Sequence, residues 1–506
     1  MSTLTRAEAM AADPRIVIIG AGLGGIAVAR ELLERGIDDF VMVDRQAGFG
    51  GTWLRHHYPN VACDTPVQLY SFEFAPNPDW SSNFAPGAEI LEYIEKVADE
   101  AALTSHLLAD TAVVSCVWDE ADARWEVRTA GDITWTPQYV IAAVGRFSQP
   151  DTRPIPGAEH FTGSVFHAAD WPDDLDVTGQ RVAVVGGGAT SIQVVPWAVQ
   201  NAAEVVAFIP TPSHVLHKPE QVYGAEDHQR FRDSPEVLEA MREEWHEYYD
   251  VAARSRFPFD AAANATAVAA WRKEFEAIVT QPALREILTP DYALGCRRLL
   301  FSNDYYQSLI QPQVTVVGER LAALRPHAAV DSDGTEYPVD TVILATGYQT
   351  NAWLSDVEVV GADGRTLRDE WAEGPSAYLG MMVNGFPNMF LVDGPNVQIP
   401  FITEVLTAHA RYIATCVQEA GRVDADLIEV RRSSEDEFNR QLDVRLDRSV
   451  LARCDSYYRV GHNGRITSHW PGTPTEIGEI LAHIDHSAID YRSAGMAKEE
   501  RDSAHA

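Results

Sequence analysis

Backbone suited to holding a pyrophosphate occurs twice in this chain of 506 residues. The first instance, Gly20-Ala-Gly22-Leu-Gly24-Gly25, lies directly after the apolar run Ile16 to Ile19 and directly before Ile26 to Leu33, a helix-period stretch. In such a strand, tight turn and helix, Gly20 permits the turn and Gly22 lets the backbone approach a pyrophosphate. Gly25 allows close helix packing, and the helix N-terminus favours the negative charge. A further strand, Phe40 to Val43, ends in Asp44, 19 residues past Gly25, where a carboxylate can accept both ribose hydroxyls of an adenosine. The second instance, Gly186-Gly-Gly188-Ala189-Thr190-Ser191, follows Val182 to Val185 and begins 166 residues after the first. The chain thus carries two nucleotide sites.

That spacing is too long for a solenoid, whose period is ~20 to 50 residues. It implies an α/β fold with two Rossmann-like dinucleotide-binding domains, one nested in the other. Two more segments with the strand-then-Gly pattern, Tyr139 to Gly145 and Thr341 to Gly347, mark crossings between the domains. The expected division is 14–150 for the first part of one domain, 151–340 for the nested domain and 341–490 for the return to the first. Within the nested domain, about 220–290 forms a helical insertion, with segments such as Pro235 to Tyr249. Its aromatics Trp245, Tyr248, Tyr249, Phe257, Phe259, Trp271 and Phe275 are expected in the core rather than at a substrate. Residues 1–13 and 494–506 read as mobile polar tails.

Composition narrows the function. A formal net charge of −34 opposes binding to nucleic acid or to an anionic membrane surface. The longest apolar stretch, Ile16 to Ala29, is short and broken by glycines, whereas a bilayer span needs about 20 apolar residues. The first ten residues lack the basic start and apolar core of a signal peptide, which points to a cytoplasmic enzyme. Five widely spaced cysteines, Cys63, Cys116, Cys296, Cys416 and Cys454, with no C-x-x-C, suggest reduced thiols and neither a disulfide framework nor a metal site.

Between the two glycine signatures, Phe161-Thr-Gly163-Ser-Val-Phe-His167-Ala-Ala-Asp-Trp171-Pro172 reads F-x-G-x-x-x-H-x-x-x-W-P. With Ala143 to Pro150 before it, this resembles the fingerprint of flavin-dependent Baeyer-Villiger monooxygenases. Gly50-Gly51-Thr52-Trp53 through Tyr58-Pro59 to Asp64 resembles that family's G-x-W-x-x-x-x-Y-P-G-x-x-x-D motif, with Asn60 where Gly is usual. Gly295-Cys-Arg297-Arg298, ahead of Tyr305-Tyr306, resembles its G-C-K-R segment, with Arg297 in place of Lys. Phe386 to Asn396, Tyr457-Tyr-Arg and Arg465 to Thr473 extend the likeness over about 15 to 485.

The resemblance implies FAD and NADPH as cofactors and a ketone and O2 as substrates. One oxygen atom is inserted beside the carbonyl to give an ester or lactone, through a C4a-peroxyflavin formed after NADPH reduces FAD. The peroxyanion needs a fixed positive charge, which the family supplies from the position of Arg298, with Asp64 holding it in place; a guanidinium never loses its proton at working pH. Gly51, Thr52, Trp53, Asp64, Tyr70 and Val113 join Gly20, Gly22, Gly25 and Asp44 around FAD. Gly186, Gly188, Ala189, Thr190, Ser191, Gln193, Thr211, Arg297 and Arg298 are implied at NADP. Phe161, Gly163, His167 and Trp171 belong to the linker, where His167 either positions by hydrogen bonding and couples domain movement to turnover or is a satisfied structural histidine.

One departure concerns the 2′-phosphate of NADPH. Where the family has Gln-Arg-Thr-Pro, this chain reads Ile209-Pro210-Thr211-Pro212, and no acid closes the strand to suit NADH instead. Arg297, Lys218 and His214 are the candidates to supply the charge. Tyr457 stands where the family commonly has Trp. A flavin N- or S-oxygenase on the same scaffold, a dithiol or quinone reductase and a non-enzymatic flavoprotein sensor are the competing functions.

Overall fold

The computed structural model describes residues 3–493. Two five-stranded sheets organise it, and every pairing within them is parallel. In the first, the strands lie in the order Met389–Leu391, Tyr139–Ala142, Ile16–Ile19, Phe40–Val43, Leu107–Leu108. In the second the order is Val314–Val317, Glu204–Phe208, Arg181–Val185, Thr341–Leu344, Ser164–His167. Ile16–Ile19, Phe40–Val43 and Tyr139–Ala142 are buried at every position, because a parallel strand is covered on both faces and selects unbroken apolar runs. The first sheet takes strands from before and after the second, so the two dinucleotide-binding folds are nested as expected.

Each sheet presents its glycine turn in the same way. Gly20 adopts φ +111 and Gly186 φ +135, conformations that strain any residue with a Cβ. A Cβ on Gly25 would overlap the Gly20 carbonyl oxygen, so only glycine lets the helix Leu23–Glu34 sit this close to its strand. The long amphipathic helix Ile402–Arg422 packs on Leu23–Glu34 within the largest core, bringing the C-terminal third back onto the first sheet.

Three expectations are corrected. Thr341–Leu344 pairs in register with Arg181–Val185 and Ser164–His167, so the nested fold does not stop at 340: this segment is one of its buried inner strands. The N-terminal region is no free tail. Thr5 and Glu8 form a capping box for the helix Arg6–Ala11, Ala9 is fully buried, and its carbonyl accepts the Trp135 indole N–H at 2.8 Å. The expected tail 494–506 lies outside the described residues. Finally, Cys296 and Cys454 are joined in a disulfide, while Cys63, Cys116 and Cys416 are buried free thiols.

The insertion comprises helices Ala225–Asp233, Glu236–Arg256, Ala261–Ile278 and Pro282–Leu288. Asp260 caps the third by accepting from the Ala262 and Ala263 amides. Trp271 and Phe275 stack in the core of the second fold with ring centroids 5.0 Å apart, whereas Trp245, Tyr249, Phe257 and Phe259 pack against the core of the first. Tyr248 departs from the expectation, with 54% of its surface exposed. Arg242 fastens Glu236–Arg256 down: it donates to the Gln68 carbonyl at 2.7 Å, the Ser71 carbonyl at 3.1 Å and the Glu404 carboxylate at 2.9 Å. That contact sets Tyr249 against Phe401, with ring centroids 5.7 Å apart.

Candidate active site

Both glycine turns open into one cavity of about 970 Å³. Its wall includes Gly20, Gly22 and Asp44 from the first fold, Gly186, Gly188, Ala189, Thr190, Gln193 and Thr211 from the second, and Arg297 and Arg298 between them. Gly51, Thr52, Trp53, Asp64, Tyr70 and Val113 also line it. Gly25 acts through packing instead, and Ser191 is fully buried off the wall.

The Arg298 fork grips both Asp64 oxygens along one edge. Its Nη2 donates to Oδ1 at 2.6 Å and its Nε to Oδ2 at 3.2 Å. Asp64 is the main reason that the Arg298 guanidinium is held above its ordinary pKa, against the opposing effect of burial. Yet 39% of the Arg298 side chain stays open, against 19% for Asp64. A permanent cation thus faces the cavity with donors to spare, since two of its five N–H groups satisfy the carboxylate. Neighbouring contacts fix the loop that carries Asp64: the Cys63 amide donates to the Ala85 carbonyl at 3.1 Å and the Thr65 hydroxyl to the Pro400 carbonyl at 2.9 Å.

The dinucleotide cradles fit their ligands sterically. Gly22 and Gly51 approach so closely that a Cβ on Gly51 would lie 2.9 Å from the Gly22 Cα. A Cβ on Gly188 would meet no atom within 4 Å, which leaves room at the N-terminus of Ala189–Asn201 for a pyrophosphate. Asp44 is buried and accepts from the Ala21 amide at 2.7 Å and the Gln46 amide at 2.8 Å. Each oxygen keeps a lone pair for a ribose hydroxyl. Trp53 donates to the Tyr70 hydroxyl at 2.9 Å, bracing two of the expected flavin contacts against each other.

Of the three candidates for a phosphate cation, one remains. His214 is buried between Trp271 and Tyr292, and desolvation lowers its pKa to about 4, so it is neutral. Lys218 pairs with Glu220 at 2.9 Å and does not line the cavity. Arg297 does line it, stacked over Tyr292, whose hydroxyl donates to the Pro212 carbonyl at 2.8 Å.

The fingerprint residues Phe161, Gly163, His167 and Trp171 stand back from the cavity wall. A Cβ on Gly163 would overlap the Asp340 carbonyl oxygen. His167 accepts the Ala169 amide through Nδ1 at 3.0 Å and donates from Nε2 to the Gly347 carbonyl at 3.1 Å; burial lowers its pKa, so the neutral Nε2–H tautomer fits. Trp171 packs on Trp197, Phe166 and Tyr58. Tyr58 donates to Gln193 Oε1 at 2.9 Å, and Gln193 Nε2 donates to the Ala62 carbonyl at 3.0 Å. The segment bearing Asp64 is thereby tied to the second nucleotide helix.

Sequence reasoning missed three features. Arg146 is buried on the wall, where Nε donates to Asp393 Oδ2 at 3.0 Å, Nη2 to Asp393 Oδ1, and Nη1 to Gln398 Oε1 at 2.6 Å. Tyr348 lines the cavity, bonds His56 Nε2 and packs edge-on against His167. The third is the Cys296–Cys454 disulfide, which sits two residues before Arg298. Arg146 and Asp393 lay inside segments that matched the family, and only their pairing was invisible. Among the described residues no cluster could hold a metal ion, and no helix is long and apolar enough to cross a membrane.

Comparison with known proteins agrees with this geometry. The family described as Pyridine nucleotide-disulphide oxidoreductase matches residues 17–232. A Baeyer-Villiger monooxygenase of Streptomyces coelicolor is 35% identical over 486 residues, covering 93% of this chain and 91% of that protein. One from Pseudomonas aeruginosa is 33% identical, covering 96% and 92% respectively. A solved structure described as oxidized steroid monooxygenase bound to NADP superposes with a TM-score of 0.85 at 28% identity, covering 94% of this chain and 99% of that one. With two such relatives matched almost end to end, and with the Arg298–Asp64 pair set between two dinucleotide cradles, the chain belongs to the Baeyer-Villiger monooxygenase family.

Proposed function

We propose that the protein inserts one oxygen atom of O2 next to a ketone carbonyl to give an ester or lactone, with FAD and NADPH held in the two cradles. The observation that carries this reading is the bidentate Arg298–Asp64 pair, half-open on the wall of the cavity that both cradles share. When bound, FAD supplies activation of oxygen and NADPH supplies the hydride. Gly20, Gly22, Asp44, Gly51, Thr52, Trp53, Tyr70 and Val113 would hold the first. Gly186, Gly188, Ala189, Thr190, Gln193, Thr211 and Arg297 would hold the second, with Arg297 meeting the phosphate in place of the arginine that Pro210 replaces.

The chain's own work is positioning and charge. Arg298 keeps its proton throughout the working pH range and presents a planar fork where negative charge gathers on oxygen during transfer. Asp64 aligns that fork and keeps it from swinging into solvent. Gln398, Ile399, Pro400 and Ile402, with Tyr457, would form the ketone end of the cavity, backed by Tyr249 and Phe401. A cytoplasmic location is part of this reading, supported by the demand for reduced nicotinamide nucleotide. We further assign 14–150 and about 345–490 to the FAD-binding domain and the intervening chain to the NADP-binding domain.

The test is to reduce the FAD-loaded protein anaerobically with NADPH and separately with NADH, admit oxygen with a panel of ketones, and quantify ester and hydrogen peroxide. Ester formed with NADPH and lost in Arg298→Ala supports the reading. An N- or S-oxide that persists in Arg298→Ala, with no ester, replaces it with heteroatom oxygenation.

A further inference from the structure

The turn that bears both cavity arginines has no regular secondary structure of its own. Residues 289–299 form neither helix nor strand, and Gly295 adopts φ +87. The facing segment, residues 454–458, is equally irregular. Each contains a cysteine of the Cys296–Cys454 disulfide, which closes a sequence separation of 158 residues with Cα atoms 6.2 Å apart. One and two residues after Cys296 come Arg297 and Arg298, and three after Cys454 comes Tyr457; all three line the cavity. The cysteines themselves do not. Cys296 is fully buried.

Other contacts at this seam are single hydrogen bonds. Arg297 Nη2 donates to the Asp455 carbonyl at 3.0 Å, Arg256 Nη2 to the Gly295 carbonyl at 3.2 Å, and Asn264 Nδ2 to the Leu294 carbonyl at 2.7 Å. The tip of Arg298 is fixed by Asp64, and its backbone is held from two sides: by Cys296 two residues before it, and by the strand Leu300–Phe301 after it, which pairs with Val215–Leu216. A disulfide reductase would need the pair exposed to the flavin's cavity. Here the pair stands behind the wall, where it can hold residues in place and presents no sulfur to a flavin in the cavity.

We propose that the Cys296–Cys454 disulfide is a positioning cross-link for the Arg297–Arg298 turn, so that the oxidised protein couples nicotinamide oxidation to oxygen transfer and the reduced protein diverts oxygen to hydrogen peroxide. The coupling part rests on the monooxygenase reading above. The bond forms when the two thiols give up two protons and two electrons to a hydroperoxide: the O–O bond breaks, the S–S bond forms, and with hydrogen peroxide two waters leave. Because diverted turnover itself releases hydrogen peroxide, the reduced protein generates the oxidant that restores its own cross-link.

The experiment uses FAD-loaded protein in three states: as purified without reductant, reduced with a phosphine and freed of it anaerobically, and reoxidised with hydrogen peroxide. Alkylation under denaturing, non-reducing conditions with intact mass counts the thiols in each. Two readings follow: product per NADPH oxidised, and the dissociation constant of NADP+ measured by titration without turnover. Reduction should lower coupling by roughly 10-fold and weaken NADP+ binding in parallel, within the ~100-fold that a 1 Å misplacement costs a positioned site. Reoxidation should restore both, and Cys454→Ala should behave as the reduced state whatever its treatment. The reversible cycle needs no substitution, so a variant that fails to fold does not decide the matter. The proposal is overturned by five free thiols persisting after peroxide treatment, or by identical coupling and NADP+ affinity in the two states with only the melting temperature changed. If no ketone gives ester in any state, the monooxygenase reading fails, while the NADP+ affinity still tests the cross-link.

Discussion

Arg298–Asp64 and Arg146–Asp393 are the same chemical pair set into the wall of one cavity, yet their surroundings differ. The first keeps 39% and 19% of its side chains open. The second keeps 5% and 10%, and Arg146 spends a further donor on Gln398. Asp393 is pushed up by desolvation, with Arg146 opposing the shift. A carboxylate so enclosed has no partner other than its arginine and holds the wall together. A pair with open donors can lend charge to a ligand. The identity of two residues does not set their duty; the access of each to the cavity does.

The sharpest way to break this contrast is to remove each arginine. Arg146→Ala leaves Asp393 buried without its partner, and the expected loss of stability is about 3 to 5 kcal/mol in chemical denaturation. Replacing both with apolar groups, Arg146→Met with Asp393→Leu, should recover most of that loss, because the pair's desolvation cost disappears with its attraction. No recovery in the double variant would mean that the pair does more than brace the wall. Arg298→Ala should do the reverse, costing about 10²- to 10³-fold in ester formation with a smaller change in stability. Arg298→Lys keeps the charge but loses the bidentate grip on Asp64, and an intermediate rate is expected. Equal stability losses in the two alanine variants would erase the distinction.

How much of this was legible in the sequence depends on range. Gly20, Gly22, Gly25 and Asp44 form a local pattern whose physics is complete within one strand, turn and helix, so position in the chain told their position in space. Arg298 and Asp64 were matched by resemblance, 234 residues apart, and the structure shows them in contact. Arg146 and Asp393 could not be paired from spacing, because a contact across 247 residues leaves no periodic trace. The same holds for Cys296 and Cys454, read as free thiols since nothing local joins them. The boundary at 340 failed for a related reason: the strand Thr341–Leu344 resembles Tyr139–Ala142 in sequence, and only pairing assigns it to the second sheet. His214 shows the opposite error, a residue type suited to a phosphate but walled in by Trp271 and Tyr292.

That histidine supplies a prediction of intermediate size, because it must change charge in the acid range. Burial lowers His56 and His214 to about 4, against 6.5 in the unfolded chain. Between those values the unfolded state binds more protons than the folded one, so stability rises with pH across the window and is lost as pH falls from about 6.5 towards about 4. Above the unfolded value both states are neutral and the effect vanishes. Each histidine accounts for about 3 kcal/mol at the acid end. In His214→Phe, which keeps the ring contacts, melting temperatures followed over this range should lose that share of the slope. An unchanged slope would place the acid sensitivity elsewhere.

The smallest expected effect tests whether the open pair depends on the join between the two nucleotide folds. Tyr58 lies six residues before Asp64 and donates to Gln193 on the second nucleotide helix. Tyr58→Phe removes that donor and little volume, since the ring remains against Trp171. One neutral hydrogen bond contributes about 0.5 to 1.5 kcal/mol, so stability should fall by that amount and no more. If the join also aligns Asp64 with Arg298, NADP+ affinity should weaken by up to about tenfold, the factor that 1.4 kcal/mol represents. The Arg146–Asp393 pair has no such link to the second helix and should keep its contribution, so the loss from Arg146→Ala measured in the Tyr58→Phe background should equal that in the parent. A departure from additivity would show that the two pairs are coupled through the cavity wall, and the contrast between them would then be one of degree.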